Sequence, residues 1–168
     1  MVELINQDYK YNVNLYKNNE QKLKNLLGNS VSINHVGSTA IPNMVGKNII
    51  DILVGAKDKE EFNLFSNILK NNGYYPSKNS KTDIYEFFAS SESETKDGDI
   101  HIHLAKIDTE RYNDFLILKN YLLKNPSKAL AYSKHKEDIL KNKTSDRNEY
   151  RKIKSEYVIS LIKKAKSL

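Results

Sequence analysis

Residues 35 to 54 read His-Val-Gly-Ser-Thr-Ala-Ile-Pro-Asn-Met-Val-Gly-Lys-Asn-Ile-Ile-Asp-Ile-Leu-Val, and the reading of this stretch decides the fold. Val31, Ile33 and Val36 lead in as a β-prone run, Gly37-Ser38-Thr39 interrupts it, and a crossing through Pro42 and Gly46 reaches a second apolar run, Ile49 to Val54. Asp51 is the one charge in that run. The pattern predicts two strands, about 31–36 and about 48–55, with a Gly-Ser turn leaving the first. Glycine lets backbone approach a ligand closely, and amides opening the next turn carry partial positive charge, a seat for phosphate. A carboxylate on the neighbouring strand suits a divalent cation bridging those phosphates, because Mg²⁺ takes one or two carboxylates plus phosphate oxygens. The same residues also fit an ordinary turn followed by an acid bonded to a backbone amide.

On the N-terminal side, Tyr9, Val13, Tyr16, Leu23, Leu26 and Leu27 recur at helical spacing and stop at Gly28-Asn29-Ser30. On the C-terminal side, Asp58-Lys-Glu-Glu opens a helix carrying Phe62, Phe65, Ile68 and Leu69 that ends at Asn72-Gly73. Tyr74-Tyr75 and Ile84 to Phe88 read as strands, the second strongly aromatic. Ser90 to Asp99 is rich in Ser, Glu, Asp and Gly, the composition of an exposed and mobile hairpin loop. Ile100-His101-Ile102-His103-Leu104 alternates with period two, and three helices follow. The first carries Tyr112, Phe115, Leu116 and Leu122, the second starts at Asn125-Pro126 and buries Leu130, Ile139 and Leu140, and the third begins near Ser145-Asp146. The expected architecture is α/β (α+β), a mixed β-sheet flanked by helices with a helical C-terminal third, in a single domain over residues 1–168.

Composition narrows the chemistry. With no cysteine, thiolate metal sites, thiol catalysis and disulfides are excluded, leaving His, Asp and Glu as metal ligands. No apolar run approaches the roughly 18–20 residues of a membrane span, and the opening Met-Val-Glu-Leu lacks the basic start of a signal peptide. A soluble cytoplasmic protein with no membrane partner is the expectation. The net charge of +6 is uneven: Lys119 to Leu168 hold fourteen Lys/Arg against five Asp/Glu. Such basic helices suit RNA, nucleotides or another polyanion, and equally an ordinary solvated face.

His101 and His103 share one face of their strand, roughly 6.5–7 Å apart at the Cα, close enough to share a metal or a phosphate. A structural role on a half-exposed strand fits the same spacing. Glu86, flanked by Ile84 and Phe88, is a candidate further acid or an edge-strand glutamate in water. His35 stands where it can donate to a phosphate or orient the turn through a backbone bond, whereas His135 lies in a basic run that reads as surface. Arg147 and Lys154, two helical turns apart, share a face and are placed to close over the cleft.

The run from His35 to Pro42, then Lys47, then Ile-Ile-Asp-Ile-Leu-Val closely resembles the signature of the GrpB family, which is placed among the nucleotidyltransferase-like folds related to polymerase β. His101-Ile-His103 after an aromatic strand follows the order typical of that family. Farther on, Lys119-Asn120-Tyr121-Leu122 and Asn125-Pro126 are similar to its Arg-Asp-Tyr-Leu and later proline. Tyr132, Lys136, Arg147, Tyr150, Lys154 and Tyr157 fall where the family tends to place Tyr, Lys, Arg, Tyr, Lys and an aromatic. The resemblance thins elsewhere: Asn6-Gln7-Asp8-Tyr9 stands for a proline-rich opening, Asn43 for a glycine, and Asn48 for a proline. One departure from the superfamily bears on mechanism. Active members pair two acids one residue apart after the Gly-Ser turn and add a third later, but here the pair reads Asp51-Ile52-Leu53.

Three readings follow. In the first, a nucleotidyltransferase-like enzyme holds phosphates on His35, Gly37, Ser38, Thr39, Lys47, Arg147 and Lys154. Asp51, His101 and His103 bind one divalent cation, Mg²⁺ or Mn²⁺, and Asp51, His103 and Glu86 do the chemistry. The second is a binding module for a nucleotide, another phosphorylated small molecule or RNA, without turnover. The third is a single-metal phosphohydrolase using the same histidines and a water nucleophile. Fusion of GrpB-like domains to dephospho-CoA kinase in some bacteria adds only a nucleotide or coenzyme A neighbourhood.

Overall fold

The computed structural model describes residues 2–78, 80–91 and 98–168. Helix α1 (Tyr9–Leu27) starts where the Asp8 carboxylate accepts from the Tyr11 amide, and ends at Gly28, whose φ of 105° suits glycine. Strand β2 (Ser32–Val36) leads through a one-turn 3₁₀ segment (Ser38–Ala40) to β4 (Ile50–Ala56). Helix α2 (Lys59–Asn71) is capped by Asp58 with Glu60 and Glu61 in its first turn, where acids complement the helix dipole. Strands β5 (Tyr75–Pro76), β6 (Tyr85–Ala89) and β7 (Ile100–Lys106) complete the sheet. Two short strands outside the sequence reading, β1 (Ile5–Asn6) and β3 (Val45–Gly46), pair as a separate antiparallel ribbon. Two-residue strands leave no period to detect.

The main sheet runs β2-β4-β7-β6-β5, with β4 and β7 parallel and the other pairs antiparallel. One face carries Ile50, Ile52, Val54, Phe88, Ile100, Ile102 and Leu104, which bury against Leu23 of α1 and Phe62, Phe65 and Leu69 of α2. Each such side chain contributes about 1.5–3 kcal/mol on burial, so the period-two pattern pins the register. On the other face Val36, Leu53 and Ala105 lie under Tyr112 of α3 (Glu110–Lys124). Toward the starts of β4 and β7 that face turns polar with Asp51, His101 and His103.

Helices α4 (Pro126–Asp138, prolonged by a π turn over Ile139–Lys143) and α5 (Arg147–Lys166) pack with α3 around Ile41, Met44, Tyr121, Leu122, Ala129, Tyr132 and Leu161. Leu130, expected in this core, is 51% exposed. The inward face of α4 is instead Ala129, Tyr132, Ser133 and Lys136, an i, i+3, i+4, i+7 stripe, and Leu130 points about 100° away from Ala129. The expected mixed sheet and helical C-terminal third are both present. The loop expected between Ser90 and Asp99 lies largely outside the described residues. Among the described residues no helix is long and apolar enough to cross a membrane.

Candidate functional site

Gly37 leaves β2 with φ 74° and ψ −171°, a conformation essentially restricted to glycine. It also lacks room for a side chain, because an added Cβ would collide with Oδ2 of Asp51. The antiparallel β2–β4 register sets Val36 opposite Asp51, which brings the turn and the carboxylate together. The parallel β4–β7 register then sets Asp51 beside His101 and Leu53 beside His103. Both imidazoles converge on one oxygen: His103 Nε2 is 3.2 Å and His101 Nδ1 3.4 Å from Asp51 Oδ1.

Behind His103, its Nδ1 lies 2.8 Å from the hydroxyl of Tyr85 on β6, and the Arg111 guanidinium sits 4.4 Å above the Tyr85 ring. Burial alone would raise the Asp51 pKa, but hydrogen bonds and charge from the two histidines override it and hold the carboxylate well below its usual range. Burial lowers the His103 pKa against the pull of Asp51.

Basic side chains face this carboxylate from three segments. Lys47 leaves the loop after β3, where the Gln7 amide donates to the Gly46 and Lys47 carbonyls at 2.9 and 3.2 Å. Lys136 of α4 is 3% exposed and donates to the Val45 carbonyl, while Ser133 Oγ accepts from the Val45 amide at 3.1 Å. Lys154 of α5 is half-buried. Burial, then neighbouring cations, lowers Lys47 to about 8 and Lys136 to about 7, and Lys154 moves the same way. All three also feel the opposing charge of Asp51. Crowding depressed ammonium groups around one acid makes a place for a further anion.

The structure therefore gathers Gly37, Lys47, Asp51, His101, His103 and Lys154. The half-exposed Ser38 packs its hydroxyl against Gly46, next to Lys47. Arg147 acts one step farther out, lowering the pKa of Lys47 through its charge.

Three expected residues do not join them. Glu86 pairs with Leu104, on the opposite face from Phe87 and His103, because neighbours along a strand alternate sides. There it is 1% exposed, accepts from Ser66 Oγ at 2.6 Å and pairs with Lys70 and Lys81 at 3.1 and 3.5 Å. Thr39 is fully buried and shares a hydrogen bond of 2.9 Å with His35 Nε2. His35 stacks on Tyr16 at 4.6 Å, and burial lowers its pKa to about 4, so it is a neutral group that orients the turn. His135, read as surface, is half-buried and stacked 4.1 Å from Tyr157.

Sequence reading missed Tyr85, although β6 parity matched to the His-x-His strand identifies it. Lys136 was noted only at a family position, since its side-chain burial depends on how α4 docks. Leu53, at the second-acid position, is fully buried in the cluster under α3. Among the described residues, no group of three or more His, Asp or Glu side chains is arranged to hold a metal ion, and the two imidazoles instead hydrogen-bond the carboxylate.

The model of the GrpB protein family matches residues 1–164. The chain belongs to the GrpB family. Among GrpB-like relatives, the glutamate-rich protein GrpB of Alkalihalophilus pseudofirmus is 30% identical over 153 residues, covering 88% of this chain and 87% of that protein. UPF0157 protein YqkA of Bacillus subtilis is 26% identical over 166 residues, covering 98% of this chain, and the chain spans only 47% of its length. The crystal structure of the conserved protein GrpB from Enterococcus faecalis superimposes with a TM-score of 0.81 at 23% identity, over 97% of this chain and 96% of that one, and so shares the fold. A weaker likeness, TM-score 0.45 at 11% identity, covers 81% of this chain and 46% of the Cid1 poly(U) polymerase.

Proposed function

We propose that this GrpB-family chain binds a nucleotide or another phosphorylated small molecule beside Asp51, between the Gly37-Ser38 turn and helices α4 and α5. The observation that carries the reading is the meeting of two imidazoles on the single carboxylate of Asp51, with three lysines of lowered pKa near enough to feel its charge. Phosphate oxygens would take charge-assisted hydrogen bonds from Lys47, Lys136 and Lys154, which raises the pKa of each and relieves their mutual repulsion. The residues that would hold a divalent cation are Asp51, His101 and His103, whose imidazoles would first have to release the carboxylate they now hydrogen-bond, and the cation would neutralise phosphate charge. Imidazole donors favour Mn²⁺ or Zn²⁺ over Mg²⁺ in such a set.

Binding is favoured over nucleotidyl transfer by Leu53. Two-metal transfer needs cations about 3.5–4 Å apart held by shared carboxylates, and the second position is an apolar side chain with no exposure. A small anion is favoured over an RNA surface because part of the basic excess of the C-terminal third is turned inward at Lys136 and Lys154, and Lys166 is paired with Glu110 and Asp114 at 3.0 and 2.7 Å.

The test is thermal unfolding with a panel of nucleotides and phosphate esters, with and without Mg²⁺ or Mn²⁺. A bound ligand at a hundredfold excess over Kd stabilises by about 2.7 kcal/mol. Lys154→Ala is expected to weaken the response about tenfold in Kd, and Asp51→Asn to abolish its dependence on the cation. A panel that stabilises neither the parent nor its variants removes the proposal.

A further inference from the structure

The side-chain amide of Gln7 clamps the loop that carries Lys47. Its Nε2 donates to the carbonyls of Gly46 and Lys47 at 2.9 and 3.2 Å, with the Ile5 carbonyl at 3.4 Å, and its Oε1 accepts from Asn12 Nδ2 at 3.0 Å. Carbonyl oxygens only accept, so the nitrogen end of Gln7 must face the loop and its oxygen end must face α1. Asn12 is 1% exposed in the opening turn of α1, which makes that helix the fixed end of the relay. The same short loop is bounded on its other sides. The Gln7 backbone N–H donates to the Met44 carbonyl at 3.0 Å, the Ile49 N–H donates to the Lys47 carbonyl at 2.9 Å, and a Cβ on Gly46 would collide with Ser38 Oγ.

We infer that Gln7 is a positioning residue of the anion site, setting where the Lys47 ammonium stands by holding both peptide groups that flank the Lys47 Cα. Each peptide group is planar, so holding the two of them fixes φ and ψ of Lys47 and with them the direction in which its side chain leaves the backbone. The charges that Lys47 meets come from two other elements. Arg147 and Arg151 of α5 repel its ammonium, Asp51 of β4 attracts it, and Lys154 of α5 feels Lys47 in turn. A change in the position of Lys47 therefore changes its proton affinity. That Lys47 takes a phosphate rests on the proposed function. That Gln7 positions Lys47 stands on the hydrogen-bond geometry alone.

Side-chain NMR titration of Lys47 in the ligand-free protein tests the positioning, in the parent, in Gln7→Met and in Asn12→Leu. Met keeps the length and bulk of Gln7 and removes the donor, whereas Asn12→Leu leaves Gln7 in place with its amide free to turn. The parent is expected to titrate at about 8, and both variants nearer the ordinary 10.5 as the ammonium moves away from the α5 cations and toward solvent. A Lys47 titration in Gln7→Met that matches the parent's, even with a lowered thermal midpoint, leaves the amide a structural role alone and overturns the inference. Calorimetry with inorganic pyrophosphate tests the consequence for binding. Gln7→Met is expected to weaken affinity about tenfold, as for neighbours coupled in one network, and to have no further effect when Lys47 is already replaced in Lys47→Met. An equal loss in the Lys47→Met background overturns action through Lys47. A parent that binds no pyrophosphate overturns the anion role of Lys47, and the positioning then stands or falls on the Lys47 titration.

Discussion

The carboxylate of Asp51 packs directly on the backbone of Gly37, so closely that a Cβ at position 37 would lie 3.0 Å from the Asp51 Cβ and collide with Oδ2. Two strands and a turn thus enclose the acid with no side chain between. Gly37→Ala adds that clash to a backbone conformation that L-residues avoid. It is expected to cost about 1–3 kcal/mol, read as a lower urea midpoint with an unchanged m-value. An unaltered midpoint would mean that the turn relaxes freely.

Glu86 separates stability from site chemistry. Glu86→Gln removes the charge that Lys70 and Lys81 pair with beneath the sheet. Its expected cost is about 1–3 kcal/mol in denaturant unfolding, with affinity for any ligand of the cleft unchanged. A selective loss of affinity at full stability would place Glu86 in the site after all.

Lys136 and Lys47, at about 7 and about 8, predict how anion binding responds to pH. Both ammonium groups carry charge below their pKa, so affinity for a phosphate ester is present at lower pH and falls as pH rises through 7 to 8. Titration calorimetry in buffers of different ionisation heat should show proton uptake on binding near neutrality. Lys136→Met should flatten the lower part of the profile, and an uptake identical to the parent's would contradict this role.

For His35, folding holds the pKa at about 4 against an ordinary 6.5, through burial first and the Lys119 charge second. The unfolded chain therefore binds more protons between these values. The stability this group contributes is complete above pH 6.5 and is lost as pH falls toward 4. The gap corresponds to on the order of 3 kcal/mol. His35→Gln should show a shallower loss of stability across that window than the parent, and equal slopes would count against a buried neutral imidazole.

Leu53→Asp restores the spacing of paired acids, yet position 53 is packed with Val36, Ala105 and Tyr112. Burying an unpaired carboxylate there is expected to cost about 3–5 kcal/mol and to confer no nucleotidyl transfer. A stable variant that gains Mn²⁺-dependent transfer would show that the cluster can open.

The sequence by itself determined the strand–turn–strand around Asp51, the pairing of the two histidines on one face, the helix starts at Asp58, Asn125 and Asp146, and the family. These are local matters: period two and period 3.6, a capping Asp or Asn, and a glycine where the backbone turns left-handed. It also showed that no second acid follows Asp51. Only the tertiary structure decided which residues meet. Strand register sends Glu86 beneath the sheet and Tyr85 to His103, and His35 and Thr39 satisfy one another and withdraw from the cleft. The docking of α4 turns Lys136 inward to the Val45 carbonyl and leaves Leu130 outside. A helix's apolar positions state that one face is buried, but the partner of a polar side chain depends on elements distant in the chain. In the folded protein Lys136 and Val45, 91 residues apart, satisfy each other's polar groups.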